Sequence, residues 1–314
     1  MTAMTSRRNW VRAFFGERRP TTPDPPVDVA KAIPDFAALA RTTVRLHPRR
    51  GKVDPDASKI GGTFAWPESE EWPRCAEHDC PYVTALQLRE EDVPELGFRP
   101  GADLFQVLWC PNDHDDGLCP AVRVYWRQVS QMDRLAPEPP ETTIADRYYL
   151  PKECRLYPER VVEYPDAIEL SKSQHQLVEE CRAISELLAN PHVKPVGEFE
   201  LPEDEMHVYE AWLSTADGTK VGGYPSWVQF PEYPQCACGE RMDYLMSFAS
   251  AECDAVTWAR WLPLDDRNLL SKPWLKMESV SNAAHWMFGD CGCMYLFVCR
   301  RCGNWPTRAF MQCS

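Results

Sequence analysis

Lys59-Ile60-Gly61-Gly62, followed by Trp66 and by Glu71-Trp72-Pro73-Arg74-Cys75, is the stretch that decides the fold, because the chain repeats it. The second copy is Lys220-Val221-Gly222-Gly223, followed by Trp227 and by Glu232-Tyr233-Pro234-Gln235-Cys236, and the two copies are 161 positions apart throughout. Further on, the apolar run at 105–110 has a counterpart at 294–299, and both end on a cysteine. Internal repetition outranks any single motif as evidence about fold. We therefore expect two pseudo-symmetric lobes that arose by duplication.

Each copy holds a Lys-x-Gly-Gly turn and a tryptophan four residues beyond the second glycine. Glycine gives the backbone a positive φ angle at low cost, and the tryptophan can then pack across the turn. A role of the lysine in holding a ligand is the alternative, but the turn is too short to surround a phosphate. We therefore interpret eight residues as structural turn residues: Lys59, Gly61, Gly62, Trp66, Lys220, Gly222, Gly223 and Trp227.

The length of the chain and its cysteines set the broad class. A chain of 314 residues with 44% hydrophobic content is long enough for two ordinary domains. It has no apolar run of about 18 residues for a membrane span. Ser6-Arg7-Arg8 resembles a twin-arginine export signal, but the polar residues that follow lack the apolar segment such signals need. We therefore predict a cytoplasmic protein whose fourteen cysteines serve metal ligation rather than a disulfide framework.

The pattern of apolar residues predicts a strand-rich α+β protein. Apolar runs predict strands at 42–47, 82–88, 104–109, 122–127, 242–248 and 294–298. Helical periodicity predicts one long helix over 166–188, which ends before Asn190-Pro191. We divide the chain into a disordered tail (1–27), an N-terminal lobe (28–160), a bridging helix and linker (161–205) and a C-terminal lobe (206–314).

Paired cysteines carry the chemistry of both repeats. In the first, Cys75-x2-His78 follows the Gly-Gly turn and Cys110-x3-His114 ends a predicted strand. Two or three intervening residues let a pair of ligands fold back on one Zn²⁺ ion. We expect up to two structural zinc ions in closed four-ligand sites, without a position for catalytic water. The matching ligands of the second repeat are Cys236, Cys238, Cys299 and Cys302.

The remaining cysteines leave alternatives open. Cys80 and Cys119 are spare ligands if His78 or His114 does not bind. Cys110 and His114 can also form a nucleophile and its base, although an acidic loop fits metal better. We predict no catalytic residue, since the sequence has no nucleophile elbow, phosphate loop or dinucleotide-binding motif. The other cysteines are expected to be small buried apolar residues: Cys154, Cys181, Cys253, Cys291, Cys293 and Cys313.

The charge of the chain points to a basic partner. The net charge is −13, and the first twenty residues carry five Arg and one Glu, or +4, so the remainder carries −17. Acidic runs lie at 68–71, 90–92, 113–116 and 203–205. Such a surface opposes the binding of nucleic acid, which needs basic groups. It favours encounter with a basic protein.

An insertion at 253–290 distinguishes the second repeat from the first. Cys75 and Cys110 are 35 positions apart, whereas Cys236 and Cys299 are 63 apart. The insertion contains four Trp and five Leu, so it either packs over its own lobe as a lid or exposes a docking patch. Under the second interpretation Trp258 and Trp261 are the candidate partner-binding residues, because exposed aromatic side chains often anchor interfaces.

Three segments of the second repeat resemble one family. They are Lys-Val-Gly-Gly-Tyr-Pro-Ser-Trp (220–227), Cys-Ala-Cys-Gly-Glu-Arg-Met-Asp-Tyr-Leu (236–245) and Tyr-Leu-Phe-Val-Cys-Arg-Arg-Cys (295–302). They resemble the shared domain of YwqG-like bacterial proteins and the eukaryotic programmed cell death protein 2 family. The likeness to YwqG-like proteins covers roughly 41–314, and the likeness to the eukaryotic family covers 219–302 with an echo at 58–110. The chain departs from the pattern at Cys236-Ala-Cys238, where the family usually has two intervening residues.

The resemblance implies a mixed, mostly β fold without known enzymatic activity. Eukaryotic members are dedicated chaperones for a small-subunit ribosomal protein, and some bacterial relatives lie near toxin–immunity loci. We therefore predict a non-catalytic, protein-binding protein: a cytosolic chaperone or adaptor for a basic client, with no nucleic-acid or membrane partner. The alternatives are an immunity protein that neutralises a toxin, and an RNA-processing or enzymatic role.

Overall fold

The computed structural model describes residues 20–114, 119–132, 139–141, 147–189, 204–253, 257–271 and 274–313. These residues form a strand-rich α+β fold with two antiparallel sheets. Parts of four predicted features lie outside them: the tail up to 19, the linker at 190–203, positions 254–256 and 272–273 of the insertion, and the acidic positions 115, 116 and 203. No helix that the structure describes is long and apolar enough to cross a membrane.

The described residues hold twelve strands, six in each sheet. The first sheet has the order β2-β7-β3-β4-β5-β6 and the second the order β12-β11-β10-β9-β1-β8. Their bounds are β1 Arg41–Arg45, β2 Arg49–Arg50, β3 Lys59–Ile60, β4 Val83–Arg89, β5 Leu104–Trp109, β6 Val122–Arg127, β7 Cys154–Arg155, β8 Glu159–Glu163, β9 Lys220–Gly222, β10 Asp243–Ala249, β11 Cys293–Val298 and β12 Thr307–Gln312.

Two chain segments, 41–50 and 154–163, each contribute to both sheets. In the second sheet β1 pairs with β9, so that Val44 lies opposite Val221, and β8 pairs with the other side of β1. In the first sheet β2 pairs with β7, so that Arg50 lies opposite Cys154. The sheets therefore do not follow the predicted lobe boundaries at 160 and 206, and that division of the chain stays a prediction.

The main hydrophobic core lies between the two sheets. Val107 and Trp109 of β5 belong to it together with Leu296 of β11. The alternate residues Leu108 and Cys110 belong to a smaller cluster. Side chains alternate across a strand, so β5 is buried on both faces. One face fills the shared core, and the other supports the loops that carry the candidate metal ligands.

Short helices complete the fold. Their bounds are α1 Val29–Ala32, α2 Lys172–Glu179, α3 Arg182–Leu188, α4 Glu205–Trp212, α5 Trp258–Trp261 and α6 Trp274–Ser281. The prediction of one helix over 166–188 is wrong, because the segment contains a 3-10 turn (Ala167–Glu169), α2 and α3. Ser171 begins α2 with a capping box to Gln174, and Cys181 separates α2 from α3 in an extended conformation, at φ −76° and ψ 106°.

Three tryptophans of the insertion at 253–290 pack on the protein. Trp261 is 1% exposed and contacts the cluster that contains Ala216 and Val280. Trp286 is equally buried, and its Nε1 donates to Ala249 O at 2.8 Å. Trp258 packs against the same cluster as Trp261. These contacts match the lid interpretation, and contact of Trp258 or Trp261 with a partner stays a prediction.

Candidate metal centres

The first pair of ligands lies in a tight loop between β3 and β4. Cys75 N donates to Cys80 O at 2.8 Å, and Arg74 forms an isolated bridge with Pro81, so the loop closes on itself. Asp79 has a φ of 46°, a left-handed conformation that Asp adopts more readily than most residues. The loop therefore turns the Cys75 thiol and the His78 imidazole towards the end of β5, where Cys110 and His114 lie.

The four predicted ligands of the first repeat come together in one group, which we call the first cluster. Cys75 Sγ lies 3.6 Å from His78 Nδ1 and 3.5 Å from His114 Nε2, and Cys110 Sγ lies 3.6 Å from His78 Nδ1. All four ligand atoms lie within 4.8 Å of one another. Tetrahedral bonds of about 2.3 Å to sulfur and 2.0–2.1 Å to nitrogen give a sulfur–nitrogen separation of about 3.6 Å. The measured separations match this value, so the first cluster can hold one tetrahedral ion.

Two residues that the sequence analysis missed orient this cluster. His114 Nδ1 lies 2.8 Å from Glu77 Oε2, which leaves Nε2 to face the other ligands and is typical of metal-binding histidine. Asn112 Nδ2 donates to the sulfurs of Cys110 and Cys80, each at 3.4 Å. Glu77 sits next to a predicted ligand in the sequence, and Asn112 is two residues from Cys110. Their closeness in sequence to predicted ligands is the signal that could have identified both residues.

The chemistry of Cys110 disfavours a nucleophile. Burial, first of all, raises the pKa of its thiol to about 12. A thiol with such a pKa is not ionised at neutral pH unless a cation binds it. Cys80, the spare ligand, has its sulfur 3.6 Å from Cys110 Sγ but lies outside the group of four. Cys119, the other spare, is also outside it and donates to Pro120 O at 3.7 Å.

The second cluster comprises Cys236, Cys238, Cys299 and Cys302. Sulfur–sulfur separations are 3.7 Å for Cys236–Cys302, 3.7 Å for Cys238–Cys299 and 3.9 Å for Cys299–Cys302. Four bonds of about 2.3 Å in a tetrahedron place sulfur atoms about 3.8 Å apart. The second cluster can therefore also hold one tetrahedral ion.

The unusual spacing Cys236-x-Cys238 reflects a loop that is one residue shorter. Cys236 N donates to Glu240 O at 2.8 Å, as Cys75 does to Cys80 O five positions along its own loop. Gly239 has a φ of 89° where the longer loop has Asp79. Glycine permits this conformation at low cost, so the short loop still closes. A single intervening residue therefore does not prevent Cys238 from joining the cluster.

Most of the chain matches the model of one protein family. A family model described as "Domain of unknown function (DUF1963)" matches residues 58–301. The chain belongs to this family. The matched range includes both Lys-x-Gly-Gly turns and seven of the eight candidate ligands, and ends one residue before Cys302. No curated protein matches the chain.

Each lysine of the two turns in this DUF1963 protein is buried and forms an ion pair with a glutamate. Lys220 Nζ lies 2.8 Å from Glu163 Oε2, and both side chains are 0% exposed. Glu163 also accepts from the N–H groups of Ala216 and Tyr224. Burial raises the pKa of Glu163, while Lys220 and the two amides act in the opposite direction. In the first repeat Lys59 Nζ lies 2.7 Å from Glu153 Oε1.

The second glycine of each turn makes room for that glutamate. A Cβ on Gly62 would lie 2.6 Å from Cδ of Glu153, and a Cβ on Gly223 would lie 1.9 Å from Oε1 of Glu163. Both glycines have φ above 70°. This geometry agrees with a structural role of the turns, which stays a prediction. Both glutamates were missed from sequence, because they lie 94 and 57 positions from their lysines.

Aromatic side chains support both clusters of the DUF1963 protein in the same way. Trp66 lies 4.7 Å from Trp72, between ring centroids, in the small core that includes Cys75. Trp227 lies 5.2 Å from Tyr233 beside the second cluster. The predicted structural role of both tryptophans fits these contacts.

The loop that carries Cys299 and Cys302 also contacts the segment between β4 and β5 of the first sheet. Arg300, between two of its cysteines, donates to Leu96 O at 2.8 Å and to Gly97 O at 2.6 Å. In return, Arg99 donates to Gly303 O at 2.9 Å. Hydrogen bonds thus join the loop of the second cluster to the loop between β4 and β5.

Proposed function

We propose that the two clusters are structural zinc sites. The observation that carries this proposal is the match between both sets of ligand separations and a closed tetrahedron. Two Cys with two His, and four Cys, are ligand sets typical of structural zinc. With four protein ligands, neither ion keeps a position for water or substrate. Bound metal then stabilises the folded chain.

Metal analysis of freshly purified protein tests the zinc sites. We expect about two equivalents of zinc. Cys110→Ser and Cys299→Ser should each lose about one equivalent. Cys291→Ser is the matched control, because Cys291 is an exposed thiol outside both clusters, and it should keep both ions. Less than half an equivalent in the wild-type protein would exclude structural zinc, and a coloured protein with iron would identify another metal.

We further propose that the protein acts as a non-catalytic chaperone or adaptor for a basic client. The closed clusters support a structural role of the metal, and the net charge of −13 supports a basic partner. Glu68 and Glu71, beside the loop of the first cluster, are exposed. The Glu70 carboxylate in the same run pairs with Arg127. The same strand order β3–β6 and β9–β12 in the two sheets supports an internal duplication.

Affinity purification from the native host, followed by identification of co-purifying proteins, tests the client. A ribosomal protein supports the chaperone role that the resemblance to the programmed cell death protein 2 family implies. A toxin identifies an immunity role instead. If no protein co-purifies, that result contradicts both roles. With the client in hand, its association rate should fall markedly between about 50 and 300 mM salt, while its dissociation rate changes less.

A charge variant separates steering from fold. Glu68→Gln with Glu71→Gln should slow association at low salt without changing thermal stability, since exposed charges contribute little to stability. Glu186→Gln is a control at a distance along the chain, on the exposed surface of α3, and it should have a smaller effect. An association rate indifferent to salt would remove the argument from charge. Affinity for RNA at physiological salt would favour an RNA-processing role.

A further inference from the structure

Residues 20–26, which we call the strap, lie against buried polar side chains. Thr22 is 7% exposed, and its N–H donates to both carboxylate oxygens of Glu159, at 2.9 and 3.0 Å. Its hydroxyl donates to Glu159 and accepts from Arg45 Nη1 at 2.7 Å. This hydroxyl thus acts as donor and acceptor at once, which only Ser and Thr can do among residues of this size.

Two main-chain groups of the strap also accept hydrogen bonds from the rest of the protein. Leu264 N donates to Thr21 O at 2.8 Å, and Arg260 Nη1 donates to Pro23 O. Asp24 and Pro25 are exposed. Binding through main-chain groups and one central side chain is how proteins hold extended peptides. The strap therefore has the contacts of a peptide ligand that belongs to the same chain.

The surface under the strap contains buried charged and polar side chains. Arg45 is 0% exposed and also donates to Trp261 O at 2.9 Å and to Glu252 O at 3.0 Å. His47, 1% exposed, lies 2.8 Å from Glu159 Oε2. Burial of such groups is costly unless each is hydrogen-bonded. Charged side chains held in fixed positions around Thr22 can recognise a threonine in an extended peptide.

The strap fills this site only in part. A cavity of about 740 Å³ remains between the strap, β8, the end of α4 and α5. Its lining includes Val161, Trp212 and Leu213. Arg260 Nε and Trp261 Nε1, on residues that line the same cavity, are buried without an acceptor in the part of the chain that the structure describes. Space and unused donors are left for a longer or better-fitting segment.

We propose that Arg45, Glu159, Arg260 and Trp261 form a binding site for an extended Thr-Pro peptide of another protein. The chain's own strap occupies this site in cis. A hydroxyl residue, threonine in the strap, is required because the hydroxyl must donate to a carboxylate and accept from a guanidinium. Proline suits the next position, since it has no N–H to leave unpaired in an apolar cavity. A phosphate on the threonine would face Glu159 and is excluded. The inference rests on the proposed protein-binding function only in assuming a partner.

Peptide titration of the full chain tests this site. The probe is the peptide Pro-Thr-Thr-Pro-Asp-Pro-Pro, copied from 20–26, and its control has valine in the place of Thr22. Thr22→Val protein should bind the probe about tenfold or more tightly than wild type does, because the wild-type strap competes at a millimolar effective concentration. It should not bind the valine control. Thr21→Ser, at the exposed neighbouring residue, keeps a hydroxyl and should behave as wild type.

The outcomes separate this site from the proposed client binding. A folded Thr22→Val protein that binds neither peptide, or both equally, overturns the inference. If circular dichroism shows that this variant is unfolded, Pro23→Gly replaces it, because it keeps the polar partners and loosens the strap entropically. The same criteria then apply. Because the probe is the chain's own segment, failure here leaves the client capture experiment unaffected, and failure of that experiment leaves this one unaffected.

Discussion

Replacement of Lys220 by Met should cost much more stability than replacement of Lys59 by Met. The two lysines hold the same position in the two turns, and both are 0% exposed. Glu163, the partner of Lys220, is also 0% exposed, whereas Glu153 is 13% exposed and has a second cation, Lys52, at 3.1 Å. Lys220→Met leaves a carboxylate without its cation in the core, which costs about 3–5 kcal/mol. Lys59→Met leaves Glu153 partly hydrated and still paired, so we expect about 1–2 kcal/mol.

The assay is equilibrium unfolding in urea. If the variants keep the same m-value, a change in the midpoint concentration reports a change in the free energy of unfolding. It should be run at pH 5.5 and pH 8. Burial already raises the pKa of Glu163, and the loss of Lys220 should raise it further. A carboxyl with a raised folded-state pKa binds a proton on folding, so stability is lost as pH rises. Lys220→Met should therefore be more destabilised at pH 8 than at pH 5.5. Equal costs for the two lysines, at both pH values, would refute the argument from burial.

Three further variants test separate features. Gly223→Ala should unfold the protein or cost several times more than Gly101→Ala. Both glycines have positive φ, which costs Ala about 1–2 kcal/mol, but only a Cβ at 223 meets an atom within 4 Å; equal effects would contradict this. His47→Gln should gain about 2–3 kcal/mol relative to wild type between pH 7 and pH 4.5. Burial, then Arg45, lowers the pKa of His47 to about 4, so the unfolded state takes up a proton below about 6.5 and wild type loses stability; parallel pH profiles from denaturant titrations would contradict this. Trp261→Ala should cost about 3–5 kcal/mol, as a buried aromatic does, and unchanged thermal stability would favour the docking interpretation.

The sequence predicted the parts of this fold that depend on local pattern. The strands at 104–109 and 122–127 have the predicted bounds, and those at 82–88 and 242–248 are displaced by one residue. All eight candidate ligands form two groups, because the two members of each pair are two to four positions apart and a single loop brings them together.

Contacts between distant segments were not predictable. Nothing near Val44 indicates that its strand pairs with Val221. The two-residue strands β2, β3 and β7 are too short for a periodic signal. The helical spacing of apolar residues continues across Cys181, because Val178 and Ile184 on its two sides are both buried. The backbone at Cys181 is nevertheless extended. Thr22 lay in a Pro-rich stretch predicted as tail, and it is held only by residues far along the chain.

The passage of 41–50 and 154–163 through both sheets makes the two repeats unequal as folding units. Residues 206–314 supply β9 to β12 alone, so as a separate fragment they would lack β1 and β8. The open edge of β9 would then invite aggregation, and Lys220 would have no Glu163. A fragment of residues 1–205 would hold a whole first sheet and the paired strands β1 and β8, with β1 lacking only its neighbour β9. Co-expression of the two fragments should therefore rescue the second by complementation. The second half of the chain thus depends on the first half for the completion of its sheet.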